Sequence, residues 1–209
     1  RGLNDAAAVG VVGVIQVGGD VESSRWSADA AASDPRVLAA VAIHPNEAPG
    51  YEQAGTLDVA IGIIDELAAQ PRVRAVGETG LDFFRTDEAG QPAQFRSFEA
   101  HIDIAKRHGI AMQIHDRDAH DAVLATLAGN VTFKNAQNLR DALLVTPRER
   151  ILIETDAPFL TPEPTRGRPN APYLIPHTLR FMAGVLGEEP DALAADISAN
   201  TLRTYGTWA

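Results

Sequence analysis

The sequence contains no cysteine, which excludes disulfide bridges, thiolate metal ligands and a cysteine nucleophile. It also has no apolar run near the ~20 residues that a membrane-spanning helix requires. The opening stretch RGLNDAAAVG lacks the basic start and apolar segment of a signal peptide. These absences favour a cytoplasmic protein. Because no methionine opens the chain, we expect the natural N-terminus to precede Arg1.

Basic residues are scarce relative to acidic ones. The chain has 18 Lys and Arg against 28 Asp and Glu, so its net charge is −10. A broad basic surface of the kind that binds duplex DNA is therefore not expected, although a nucleic acid could still be gripped locally. The excess of carboxylates makes a cation site more plausible. The 209 residues, 45% of them hydrophobic, suffice for one core, and we predict a single domain over residues 1–209.

Extended apolar runs alternate with helical patterns along the whole chain. Strands with this little polar character are typical of a parallel sheet that is buried on both faces. We predict an α/β fold, for which a TIM (β/α)8-type barrel and an open doubly wound sheet both fit. No Gly-rich phosphate loop follows the first strand, which argues against the nucleotide-binding open sheet. The predicted strands span residues 9–17, 37–43, 73–77, 111–114, 131–133 and 151–153, and the predicted helices span 21–32, 56–69, 92–109, 176–186 and 191–205, with another opening at 115.

The clearest helical pattern covers residues 92–109. Phe95, Phe98, Ile102 and Ala105 recur at helical spacing, so we expect them to face the core. Gly109 is suited to the C-terminal cap of this helix.

Four predicted strands are followed directly by a side chain that can bind a metal or transfer a proton. His44, Glu78 and His115 follow three of them, and Asp156 follows the last strand within the segment ETDAP. The C-terminal ends of parallel barrel strands share one face, which carries the active site. We therefore expect Glu78, His115 and Asp156 to converge on one barrel mouth. Imidazole and carboxylate ligands suit Zn²⁺, Mn²⁺, Co²⁺ or Mg²⁺.

The remaining histidines are assigned no chemistry. His101 and His120 are predicted to be solvated helix residues, His108 a charge at a helix end, and His177 a residue near a helix start. Asp82 is interpreted as a turn residue.

Several long motifs, in order, resemble those of the TatD family of metal-dependent deoxyribonucleases, within the amidohydrolase superfamily. They are AIHPNEA, GETGLDFF, IHDRDAHDAV, VTFKNAQNLRDAL and ETDAPFLTP, with a looser match at RGRPNAPYLIP. The resemblance covers nearly the whole chain, and it implies a TIM barrel that binds one or two divalent ions at its strand ends. It also implies hydrolysis of DNA, from single strands or 3′ ends in the 3′–5′ direction.

The resemblance implies a role for five residues. Glu78 would be the carboxylate that can bridge two metals, and His115 a second ligand. Asp156 would be both a ligand and the proton acceptor. His44 would bind substrate or assist proton transfer, and Arg117 would contact a phosphate.

Two expected segments of the family pattern have no counterpart in this chain. They are a first strand that ends in His-x-His and a later strand with another ligand His, in whose place Leu127 runs through AGN into Val131. We therefore expect one or two strands to be missing, a chain break between Val123 and Val131, and a barrel strand starting at Val131. Two alternatives stay open: a hydrolase of C–N or lactone bonds, or a non-catalytic barrel.

Overall fold

The computed structural model describes residues 2–117, 126–127 and 129–208. These form two compact units. The sheet unit comprises residues 13–122 and 207–209, and the C-terminal unit comprises residues 1–12 and 123–206. That residues 1–209 act as a single domain stays a prediction.

Helices and strands alternate through most of the described chain, as predicted. The helices are α1 (Gly2–Ala7), α2 (Val21–Ser33), α3 (Ala48–Gln53), α4 (Leu57–Ala68), α5 (Gln91–His108), α6 (Gln137–Val145), α7 (Ile175–Leu186) and α8 (Pro190–Tyr205). The strands are β1 (Val14–Val17), β2 (Val37–Val41), β3 (Val73–Asp82), β4 (Ala111–Arg117), β5 (Thr126–Leu127) and β6 (Leu152–Ile153).

The sheet unit is built on four parallel strands in the order β1-β2-β3-β4. Every residue of β2 is buried, and so are the two that follow it, Ala42 and Ile43. A strand without polar side chains can be covered on both faces at no desolvation cost, which explains its place inside the sheet. Because neighbouring strands run parallel, their C-terminal ends lie along one edge of the sheet.

Strand β3 is longer than predicted and contains a bulge. The pairing with β4 advances from Val76 opposite Met112 to Thr79 opposite Ile114, so β3 holds one extra residue at Gly77–Glu78. A bulge of this kind bends a strand and redirects a side chain, here that of Glu78. The strand then continues to Asp82, five residues beyond the predicted end.

The predicted buried face of α5 is confirmed at Ala105, holds in part at Phe98 and Ile102, which are half-buried, and is wrong at Phe95. Phe95 is 44% exposed. The buried positions are Ala93, Gln94, Ser97, His101, Ile104 and Ala105. The apolar pattern was misleading because Gln94 and His101 bind backbone groups at the ends of β3 and β2, which keeps this polar face buried. Gly109 caps the helix in the left-handed conformation with φ 64°, as predicted.

The C-terminal unit pairs β5 with β6 in parallel and packs helices around its own core. Val131 lies in a 3₁₀ helix, Gly129–Thr132, so the strand predicted at residues 131–133 is wrong. Its side chain is fully buried, which accounts for the apolar pattern without a strand. The core consists of Val131, Leu143, Ile151, Met182, Ala183, Leu193 and Ile197.

Three further predictions concern the helix expected at residue 115, the expected chain break and the closure of the barrel. His115 lies inside β4, so the helix predicted to open there does not begin at that residue. Residues 118–125 and 128 lie outside the described part of the chain, and the expected break between Val123 and Val131 falls largely on them. Within the described residues, the six strands form two separate sheets and close no barrel, and none of the helices has the length and apolar character needed to cross a membrane.

Candidate metal-binding site

His44 is positioned by its own backbone and that of its neighbour at the end of β2. The backbone N–H of His44 donates to the Gly19 carbonyl at 2.7 Å. The N–H of Ile43 donates to Nε2 of the fully buried His101 at 3.0 Å, and Nδ1 of that ring donates to the Ser97 carbonyl at 2.6 Å. His101 is therefore a buried support of this strand end, and its prediction as a solvated residue was wrong.

Glu78 and His115 meet at the bulge between β3 and β4. Oε1 of Glu78 lies 2.9 Å from Nδ1 of His115, and Nε2 of His44 lies 3.3 Å from that same nitrogen. One ligand atom from each of these three residues falls within 4.8 Å of the others. Two atoms that share a divalent ion at bonds of ~2.0–2.2 Å lie about 3 Å apart, so Glu78 and His115 fit a common cation.

Gly80 allows the strands to approach each other beside this pair. A Cβ at Gly80 would lie 2.1 Å from the carbonyl oxygen of His115, and its φ is +142°, in the region that favours glycine. A glycine at this position therefore lets β3 and β4 pack closely beside Glu78 and His115.

Asp82 belongs to the site, although the sequence indicated only a turn. Its Oδ1 accepts the backbone N–H groups of Phe84 and Arg85, which is the expected turn. Its Oδ2 lies 3.1 Å from Nε2 of His115 and 3.3 Å from Nδ2 of Asn46. Side chains two and four residues apart share a face of a strand, so a longer predicted β3 would have placed Asp82 on the side of Glu78.

His115 and the two carboxylates, Glu78 and Asp82, each shift the pKa of the other towards the charged form. The hydrogen bond with Glu78 raises the pKa of His115 despite its partial burial, and Asp82 adds to this effect. Burial would raise the pKa of Glu78, but the hydrogen bond and charge of His115 outweigh it and leave that pKa below its usual value. Asp82 behaves in the same way: burial opposes ionisation, yet its hydrogen bonds from Arg85, Asn46 and His115 lower its pKa.

His44 differs from its two neighbours in the atom that it presents. Burial lowers its pKa, which favours the neutral ring. Its Nδ1 accepts the backbone N–H of Asn46 at 3.2 Å, so the neutral ring carries its proton on Nε2. An N–H is a hydrogen-bond donor and cannot bind a cation. Of the three residues that could hold a metal, this favours Glu78 and His115 as ligands and His44 as a donor beside them.

For the other two predicted site residues, Asp156 and Arg117, only backbone features are described. Asp156 follows β6 in the C-terminal unit, where its carbonyl accepts the N–H of Phe159 at 2.6 Å, and its convergence with Glu78 and His115 stays a prediction. Arg117 ends β4, but its side chain lies outside the described part of the structure.

Two of the remaining histidines are where the sequence placed them. His108 ends α5 and its Nε2 lies 2.7 Å from Asp65, and His177 lies in the first turn of α7. His120 falls outside the described residues.

A family model and the most similar curated proteins point to the same family. The family model described as TatD related DNase matches residues 1–128 and 123–206. A protein of Mycobacterium tuberculosis named uncharacterized metal-dependent hydrolase TatD is 38% identical over 238 residues, covering 96% of this chain and 88% of the relative. A 3'-5' ssDNA/RNA exonuclease TatD of Escherichia fergusonii is 32% identical, covering 96% and 90%.

The matched lengths bear on the expected missing segment, which stays a prediction. The aligned length of 238 exceeds the 209 residues of this chain, so the Mycobacterium relative has residues without a counterpart here. The two stretches matched by the family model meet at residues 123–128, close to where the segment is expected.

Solved structures share the fold. The structure of YjjV, a TatD homologue from Escherichia coli, matches with a TM-score of 0.85 at 22% identity, covering 99% of this chain and 91% of that one. A TatD family hydrolase from Entamoeba histolytica matches with a TM-score of 0.79 at 16% identity, covering 98% and 88%. These neighbours are TIM-barrel proteins, which confirms the predicted fold class. The chain belongs to the TatD related DNase family.

Proposed function

We propose that this chain hydrolyses phosphodiester bonds of single-stranded nucleic acid, DNA in particular, and that it depends on one or two divalent ions. The observation that carries the proposal is the contact between Glu78 and His115, a carboxylate and an imidazole within the neighbouring parallel strands β3 and β4. The relatives named 3'-5' ssDNA/RNA exonuclease support the substrate class and a 3′ starting point.

The ion would be held by Glu78 and His115, with Asp156 as a proposed third ligand. When bound, a divalent ion supplies positive charge that offsets the anionic phosphate oxygens and makes water easier to deprotonate. Asp156 would accept the proton of the attacking water. The Nε2–H of His44 would donate to a phosphoryl oxygen, where negative charge accumulates during attack. Arg117 would contact a phosphate of the substrate.

The direct test is hydrolysis of a single-stranded oligonucleotide labelled at its 5′ end, with Mg²⁺ or Mn²⁺ added. We expect a ladder of products shortened stepwise from the 3′ end, and no products when a chelator is present. Glu78→Gln should lose this activity, because it keeps the shape of the side chain and removes the charge. Glu88→Gln is a matched control, since Glu88 is an exposed carboxylate in the loop after β3.

A panel of cyclic amides and lactones separates this proposal from the alternative amidohydrolase activity. Turnover of a C–N or lactone substrate with no cleavage of DNA would replace the nuclease assignment. Metal binding without turnover of any substrate would instead favour the non-catalytic barrel.

A further inference from the structure

Phe159 is an exposed aromatic side chain on the loop that follows β6, with 72% of its surface accessible to solvent. Its backbone N–H donates to the carbonyl of Asp156 at 2.6 Å, so it lies on the same turn as the proposed proton acceptor. Single exposed apolar residues are common on protein surfaces, and exposure alone assigns no function. The loop that carries Phe159 distinguishes it from such residues.

The backbone on both sides of this ring is held by contacts with buried groups. Nδ2 of Asn170, which is 6% exposed, donates to the Phe159 carbonyl at 2.7 Å, and the N–H of Asn170 donates to the Pro158 carbonyl at 3.0 Å. Leu160 has a φ of +50°, which a leucine adopts only where the surrounding structure demands it. Its carbonyl oxygen would lie 2.4 Å from a Cβ added at Gly129. A ring on a segment held in this way loses little conformational entropy when a ligand binds.

Two exposed arginines belong to the same loop. Oγ1 of the buried Thr161 donates to the Arg168 carbonyl at 2.6 Å, which ties the chain next to Phe159 to the chain at Arg168. The guanidinium of Arg166 lies 3.8 Å from the centre of the Phe133 ring, a cation–π contact that leaves the side chain exposed. Within the described residues neither arginine forms an ion pair, so both charges are available to an anionic ligand.

We propose that Phe159 stacks on a base of the single-stranded substrate while Arg166 and Arg168 contact its phosphates. This inference rests on the proposed nuclease function and assigns substrate contacts to the loop after β6. Every base has a π face, so a stacked ring binds single strands without requiring a particular sequence. A duplex hides those faces in its own stack. An aromatic ring beside two cations therefore suits a single-stranded polyanion better than it suits a duplex or an apolar protein surface.

The first test is fluorescence anisotropy of a labelled oligothymidylate titrated with the wild type, Phe159→Ala and Phe159→Trp, with EDTA present so that no strand is cleaved. We expect Phe159→Ala to bind about 5- to 100-fold more weakly, the usual effect of losing one stacked ring, and Phe159→Trp to bind within about threefold of the wild type. Phe95→Ala is the matched control and should bind like the wild type. Phe95 is also an exposed phenylalanine, but its neighbour Arg96 already pairs with Glu52 and Asp58.

The second test replaces the oligothymidylate by an abasic strand of the same length. The difference between the wild type and Phe159→Ala should disappear, because no base is left to stack, whereas Arg166→Gln combined with Arg168→Gln should weaken binding of both strands. The tryptophan introduced by Phe159→Trp gives a readout that does not depend on the alanine variant. Its fluorescence should be quenched by oligothymidylate and not by the abasic strand, relative to the wild type with its own two tryptophans.

The outcomes separate this inference from the proposed function. Equal affinity of the wild type and Phe159→Ala for oligothymidylate, an equal loss on both strands, or no quenching in Phe159→Trp would overturn the stacking role. Binding that depends on Phe159, with no cleavage of the strand once Mg²⁺ or Mn²⁺ is added, would contradict the proposed function alone. Failure of the wild type to bind oligothymidylate would contradict both.

Discussion

Glu78 is a half-buried carboxylate that follows an apolar run, an arrangement that costs free energy unless a partner compensates for it. His115 is that partner, and the bulge in β3 brings the two side chains to 2.9 Å. The contact stabilises the half-buried carboxylate. It also places Oε1 of Glu78 and Nδ1 of His115 at a distance that suits two ligands of one cation.

The different roles of His44 and His115 lead to the first prediction. His44→Gln should leave Zn²⁺ affinity within about threefold of the wild type, since the atom it presents is a donor. Its rate of hydrolysis should fall about 10²-fold, the usual effect of losing one donor to developing charge. His115→Gln should lose both affinity and rate. Titration of Zn²⁺ together with oligonucleotide cleavage measures the two effects, and a large loss of affinity in His44→Gln would make that residue a ligand.

Asp156 carries a second prediction at the scale of single residues. Asp156→Asn should lower hydrolysis about 10²-fold or more while the protein stays folded, because it removes a proposed ligand and proton acceptor. Single-turnover cleavage with controlled metal content provides the measurement. Turnover like that of the wild type would remove Asp156 from the proposed site.

At the scale of elements, the contact between β3 and β4 depends on Gly80. Gly80→Ala should destabilise the protein by about 1–3 kcal/mol, because its Cβ would collide with the His115 carbonyl and its φ is unfavourable for alanine. Gly62→Ala, in α4, is a control with nothing within 4 Å of the added atom, and it should be neutral or slightly stabilising. Urea unfolding of both variants tests the difference. Equal stability would mean that the strands can move apart freely.

His101 connects α5 to the end of β2, and its burial predicts that the free energy of unfolding depends on pH. Burial lowers the pKa of His101 below its unfolded value near 6.5, so the unfolded chain binds this proton more readily. The contribution to stability is complete above pH 6.5 and is lost as the pH falls towards the folded pKa, by up to about 1.4 kcal/mol per pH unit.

This dependence can be isolated by comparing variants between pH 8 and 5. The fall in the free energy of unfolding should be smaller in His101→Gln, which has no proton to bind, than in the wild type. An identical pH profile for His101→Gln would contradict the assignment of this effect to His101.

At the scale of the whole molecule, the net charge of −10 limits how a nucleic acid can be bound. The candidate phosphate contacts are Lys134, Arg166 and Arg168, which are exposed, together with Arg117. The guanidinium of Arg166 lies 3.8 Å from the centre of the Phe133 ring, which restrains it while leaving it accessible.

So small a set of cations predicts a weak dependence of binding on salt. With about two to four phosphate contacts on a single strand, log K should fall against log salt with a slope between about −1 and −3. Replacing Arg166 and Arg168 together by Gln should reduce the slope by about one. Arg36→Gln is the control, because Asp34 already pairs with that charge. Fluorescence anisotropy of a labelled oligonucleotide measures the slope, and a value near −10 would contradict this view of the surface.

Much of the fold and part of the site could be predicted, because both depend on local patterns. Hydrophobic periodicity placed α2, α4, α7 and α8 within a few residues, and the polar residues after apolar runs identified His44, Glu78 and His115. The predictions failed where burial was achieved by hydrogen bonds instead of apolar side chains. His101 is polar and was predicted to be solvated, yet it is fully buried, as is Gln94 on the same helix.

The sequence by itself determined the α/β class, the family and the three candidate residues that follow apolar runs, because each follows from the order of side chains along the chain. The tertiary structure decided how those residues contact one another. The bulge in β3, the approach at Gly80 and the acceptor Asp82 all depend on contacts between segments distant in sequence. Hydrogen bonds hold each imidazole in one orientation, and they exist only once the partners have been brought together.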